Sequence, residues 1–146
     1  MGEDARARLD QLNFVVRDMD AMVAFYERLG VQVQVGPPEW QPHHRNSEVE
    51  DGLHIDFDSS RFATVWNSSW AEGRTGVVIG FRVPSREAVD RLFAELTAAG
   101  YAGEQEPWDT FWGARYAIVS DPDGNSVGLM SPIDRSRSTP SPDPPS

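Results

Sequence analysis

Near the start of the chain, Leu12, Phe14 and Val16 alternate with Gln11, Asn13, Val15 and Arg17. A period of two sets the first group against a core and predicts a strand over 12–18, buried on one face. The period then changes. After Asp18, Met22, Phe25 or Tyr26, and Leu29 recur at helical spacing, with Asp18 placed to cap the helix and Gly30 to end it. Alternation returns over 31–35 and stops at Pro37-Pro38. The pair Asp51-Gly52 predicts a hairpin turn leading into a strand over 53–58.

The second half runs through the same order. A strand is predicted over 77–83, and Ser85 caps a helix over 86–99 that lines up Val89, Leu92, Phe93 and Leu96 on one face and ends at Gly100. A strand follows over 115–119, then the turn Asp121-Pro122-Asp123-Gly124 and a last strand over 125–130. The interval from Gly30 to Gly52 nearly equals that from Gly100 to Gly124, so the chain carries an internal repeat. This predicts an N-terminal segment over 1–9, a first βαβββ module over 10–70 and a second over 71–133. Residues 134–146 are rich in serine and proline and predict a disordered tail.

Two tandem βαβββ modules closed by DPDGN resemble the vicinal oxygen chelate superfamily, the fold of glyoxalases, extradiol dioxygenases and bleomycin-resistance proteins. The resemblance covers about residues 10 to 133. It implies an α+β fold in which the two modules form a curved mixed sheet around a cleft, with the helices on the outer face. It also implies a homodimer in which modules complete one another. Metal-dependent members hold a divalent ion with four side chains, from the first and last strand of each module. Carried over, those positions fall on Gln11, on or beside Asp56, near Val78, and on Gly128, where metal-binding relatives have the Glu of a DPDGxxxEL pattern.

Val78 and Gly128 carry no donor atom, and two oxygen ligands from Gln11 and Asp56 would leave a divalent ion mostly hydrated. The expectation is therefore no metal and no other cofactor. Gly128 then has two readings: it releases volume for a ligand, or it stands where a close-packed strand needs a small residue. A rival metal site is sketched by His54, which shares a strand face with Asp56. That site would need His43 or His44 to fold back onto the pair, whereas adjacent histidines after Trp40-Gln41-Pro42 read more simply as solvated loop residues.

Strand alternation sorts the side chains. Leu12, Phe14, Val16, Leu53, Ile55, Phe57, Ile79, Phe81, Val83, Val127 and Leu129 should face the helices. The opposite set should line the cavity, and from it the ligand contacts are expected at Gln11, Asn13, His54, Asp56, Arg82, Gly128 and Met130, with an Arg82 ion pair to Asp56 or Asp58 as the purely structural alternative. Trp66, Trp108 and Trp112, read as lying in loops over the sheet, are expected to join them by stacking on a planar ligand.

Composition narrows the partner. The net charge of -10 opposes a nucleic acid, and no apolar run is long enough for a membrane span. There is no cysteine, and all 13 basic residues are arginine, which excludes thiolate, Schiff-base and phosphate-loop lysine chemistry. With no signal-peptide core the expected compartment is the cytoplasm. The sequence points to a metal-free protein that binds a small aromatic or cationic molecule, of the antibiotic-sequestration kind. The enzymatic alternatives are a metal-dependent lyase or dioxygenase built around His54 and Asp56, and a metal-free enzyme with Asp56 or Asp58 as general base; no catalytic residue is assigned.

Overall fold

The computed structural model describes residues 6–28, 31–48, 52–72, 76–120 and 124–145. The chain divides into two compact units, one built mainly from Asp10–Val78 and the other mainly from Ile79–Asp143. The fold is α+β, and each unit repeats the same plan: four neighbouring strands, with a helix after the first of them in sequence.

In the first unit the elements run β1 (Arg8–Val16), α1 (Met19–Arg28), β2 (Gln32–Val33), β3 (His44–Glu48), β4 (His54–Ser59) and α2 (Ser60–Trp66). The strand order is β2-β3-β4-β1, with β1 parallel to β4 and the other neighbours antiparallel. Asp18 starts α1 as its spacing predicts, accepting a hydrogen bond from the Ala21 amide at 3.0 Å. The core joins Val16, Met19, Val23 and Phe57, with Phe14, Tyr26 and Ile55 packed against it. Three of its aromatic rings lie within 6.0 Å of one another: Phe14, Tyr26 and Phe57. The apolar face predicted by alternation is thus the face that α1 covers.

The second unit runs β5 (Val77–Arg82), α3 (Arg86–Ala98), β6 (Gly103–Asp109), β7 (Arg115–Ser120) and β8 (Ser126–Met130), in the sheet order β5-β8-β7-β6. Ser85 caps α3 by accepting from the Ala88 amide, and Gly100, at a φ of +103°, turns the chain out of the helix. Val89 is fully buried and sits with Val83, Ala88, Ala117 and Leu129, against which Leu92, Phe93 and Leu96 pack.

Several elements depart from the sequence pattern. Residues 60–66 form a helix, because Ser59 caps it by accepting from the Phe62 amide and buries Phe62, Ala63 and Trp66. β3 has no apolar residue, so alternation is blind to it. It is held instead by its pairing to β4, reinforced by the Ser47 hydroxyl, which donates to the Ile55 carbonyl at 2.6 Å. Trp66 and Trp108, expected in loops, stand on α2 and on β6. The terminator Gly30, Asp51 of the first hairpin turn, and residues 121–123 of the second lie outside the described residues.

The tail from 134 is not uniformly loose. Asp134 accepts from the Ser136 amide and opens a short 3-10 turn (Arg135–Arg137). Its own amide donates to the Gly113 carbonyl at 3.0 Å, and the Thr139 amide donates to the Phe111 carbonyl at 2.9 Å. Backbone hydrogen bonds, which composition does not reveal, fasten 134–139 to the 110–114 turn. Gly113 makes this possible: its φ is +92°, and a Cβ there would collide with the Asp134 carbonyl oxygen. Gly113→Ala is expected to cost about 2–4 kcal/mol, from the strained backbone and the collision together. Chemical denaturation would measure that loss, and limited proteolysis would show cleavage within 134–139 before global unfolding.

Candidate functional site

One polar face occupies the sheet of the first unit. The register of β1, β4 and β3 sets Val15, Asp58 and His44 in one row, Asn13, Asp56 and Asn46 in the next, and Gln11, His54 and Glu48 in the third. Residues paired across strands share a face, so only Val15 in this array is apolar. Gln11, Asn13, His54 and Asp56 are thereby brought together as the alternation predicts.

Asp58 organises the face. It is buried to 2% exposure, and its carboxylate accepts three side-chain hydrogen bonds: Asn13 Nδ2 and Trp66 Nε1 each donate to Oδ2 at 2.9 Å, and His44 Nδ1 donates to Oδ1 at 2.5 Å. Burying a carboxylate without such donors would cost several kcal/mol. The four groups come from four elements, β1, β4, α2 and β3. Trp66, expected to stack on a ligand, is itself 3% exposed, and its indole N–H is committed to Asp58. Its contribution is to fix the carboxylate.

Asp56 is in the opposite condition. Its Oδ1 is sealed from solvent and has no hydrogen bond among the described residues, and the same is true of Oδ1 of its neighbour Asn13. Burial is the main force on the Asp56 carboxyl; His44 opposes it, Asp58 and Asp10 add to it, and the pKa is pushed up to about 7. For His44, burial disfavours the charged ring. The Asp58 charge and hydrogen bond, with a smaller contribution from Asp56, outweigh this and raise its pKa above the ordinary value.

His44, expected in a solvated loop, and Asn46 both stand on β3, a strand that hydrophobic alternation does not reveal. The signal was present in a weak form: His44, Asn46 and Glu48 alternate with Arg45 and Ser47, a period of two with no apolar residue to mark it. His43, next in sequence, turns to the Ser59 hydroxyl at 2.9 Å and stands apart from the Asp58 group.

The remaining predicted residues belong to the second unit. Trp108, Tyr116 and Met130 are in register across β6, β7 and β8. Trp112 packs edge-on to Trp108 and to Tyr116, with Nε1 3.5 Å from Met130 Sδ. Trp108 is half-buried, and its Nε1 is enclosed without a hydrogen bond among the described residues. Arg82 ends β5, half-buried. Gly128 is explained by packing: a Cβ on it would lie 3.0 Å from Tyr116 Oη and 3.2 Å from the ring, so the phenol fills the space a side chain would take.

The residues do not fit the four-donor metal set of metal-dependent relatives. Val78 is fully buried hydrocarbon, Gly128 is covered by Tyr116, and among the described residues no three His, Asp or Glu side chains converge as ion ligands.

A model of the Glyoxalase/Bleomycin resistance protein/Dioxygenase superfamily matches residues 8–129. No curated protein matches the chain. Among solved structures, methylmalonyl-CoA epimerase from Mycobacterium tuberculosis is 16% identical with a TM-score of 0.61, covering 93% of this chain and 95% of that one. A superfamily member from Vibrio splendidus 12B01 is also 16% identical, with a TM-score of 0.58 over 86% of this chain and 99% of its own. The Mn(II)-bound glyoxalase from Novosphingobium aromaticivorans is 20% identical, with a TM-score of 0.57 over 88% of this chain; the match spans 39% of that protein. At these identities the likeness is one of fold.

The raised Asp56 pKa has a consequence for stability. A carboxyl whose folded pKa stands above its unfolded 3.8 binds its proton more tightly when folded, so stability is complete below 3.8 and falls as pH rises toward about 7. Asp56→Asn removes that loss. It should raise the melting temperature at pH 8 and change it little at pH 3.5, as thermal denaturation across that range would show.

Proposed function

Since the chain belongs to the Glyoxalase/Bleomycin resistance protein/Dioxygenase superfamily, we propose that it is a metal-independent member whose first-unit polar face binds a small cationic or hydrogen-bond-donating molecule. The observation that carries this reading is the pair of enclosed acceptors, Asp56 Oδ1 and Asn13 Oδ1, which lie in register and have no donor among the described residues. Buried acceptors left unsatisfied cost about 1–3 kcal/mol each. A ligand N–H or ammonium that gains access to either oxygen recovers that cost and, as a cation, favours the ionised form of Asp56.

Asp58 plays a different part in this reading. Its donors come from the protein, so it shapes the face and leaves Asp56 as the group that meets the ligand. The cationic preference agrees with the net charge of -10, which attracts small cations to the protein. Sequestration of such a molecule requires no metal and no covalent step.

The test is a titration of tryptophan fluorescence with a panel of small organic amines, because Trp66 is one hydrogen bond from this face. Saturable quenching or enhancement by at least one amine is expected, unchanged by EDTA, with affinity about 10- to 100-fold weaker in Asp56→Asn, the scale of one charge-assisted hydrogen bond. A tightly held metal ion found by native mass spectrometry, or no saturable response to any amine, would overturn the reading.

A further inference from the structure

We infer that His44 is a catalytic base of this site, held in place by Asp58, and that it removes a proton from a hydroxyl or water molecule at Nε2. The inference rests on the proposal that a small molecule binds this face, and adds a chemical step to it.

The geometry carries it. The Asp58 carboxylate accepts from Nδ1 of His44 at 2.5 Å, which fixes the proton on Nδ1 and leaves the lone pair on Nε2. Asp58 cannot swing away, because Asn13 and Trp66 hold its other oxygen from β1 and α2. The imidazole is braced as well, with the Phe62 ring meeting it edge-on at 5.7 Å. Yet the His44 side chain keeps 36% exposure against 3% for Asp58, and Nε2 makes no hydrogen bond among the described residues. A buried, fully bonded carboxylate behind an accessible imidazole is the arrangement that orients a general base and stabilises the imidazolium it becomes.

The charged groups around the ring are few. From β4 they are Asp58 and Asp56; from β1 the neighbours in register are the neutral Val15 and Asn13, and from α2 the neutral rings of Phe62 and Trp66. On its own strand, Arg45 is directed to Asp20 and to the Gln41 carbonyl.

A base that deprotonates water serves a ligand that carries, beside the cationic or donor group that meets Asp56, an electrophilic carbonyl for the water to attack. In the balanced step, Nε2 takes one proton from water as its oxygen bonds to the carbonyl carbon. The leaving group departs with the bonding electron pair, and the imidazolium later returns its proton to it. Asp58 stays a carboxylate throughout and is a positioning residue.

The experiment follows hydrolysis of p-nitrophenyl acetate by the full chain between pH 5 and 9. A protein-dependent rate is expected that rises with pH through the His44 titration, falls at least tenfold in His44→Gln, and is unchanged in His43→Gln. In Asp58→Asn the midpoint should move to lower pH, because the charge that supports the imidazolium is gone. A merely structural Asp58 would change the melting temperature and leave that midpoint where it was. Should Asp58→Asn fail to fold, two-bond proton–nitrogen spectra of the unaltered protein give the answer: a proton on Nδ1 with Nε2 unprotonated supports the dyad, and the reverse tautomer overturns it. A rate that survives in His44→Gln also overturns it. Amine saturation without a His44-dependent rate refutes the base alone, and a His44-dependent rate without amine saturation refutes the binding reading alone.

Discussion

Three donors converge on the carboxylate of Asp58, and the first unit is arranged so that they can. Asn13 on β1, Trp66 on α2 and His44 on β3 reach one buried group on β4. Each bond to a charged acceptor contributes about 1.5–3 kcal/mol, but the larger effect is on specificity. The charge is tolerable only when all three elements are in place. A slip of β3 by one residue would turn His44 to the other face and leave the carboxylate short of a donor. The short polar strand, which has no hydrophobic reason to settle in one register, is therefore located by an ionic one.

The second unit repeats the topology with different chemistry. Its sheet is filled by aromatic packing around Tyr116, whose phenol lies against Gly128 and whose ring meets Trp112. A buried Glu104 is also present on β6, but it accepts from Ser120 on the adjacent β7 and from Ser126 on β8 beyond it, which ties three strand ends together. The internal repeat is thus one of backbone. One copy has placed its polar groups on the open face of the sheet, and the other has covered that face with rings.

What could be read from the sequence follows from what hydrophobic burial controls. The strands β1 and β4 and the helices α1 and α3 declare themselves because Phe14, Phe57, Val89 and their neighbours must be buried at a fixed period. The face shared by Gln11, Asn13, His54 and Asp56 was legible for the same reason, as the complement of the apolar set. β3 was not, because its partners are set by register and hydrogen bonds, and those are long-range facts. Trp66 shows the limit in another way. Its residue type is equally suited to stacking on a ligand and to capping a buried carboxylate, and only the position of α2 against β4 decides between them. Gly128 is a third case, since its meaning lies in Tyr116, on the preceding strand, and is seen only once the register of β7 and β8 is known.

The docking of 134–139 onto the 110–114 turn bears on how the second module could be exchanged between relatives. Gly113 and Asp134 fit as one piece, and Trp112 lies between the hydrogen bonds that Phe111 and Gly113 make with this segment. A chimaera joined directly after β8 would pair a foreign turn with the native strap, or the reverse. The natural junction for grafting lies past Thr139, so the transplantable unit is longer than the repeat itself.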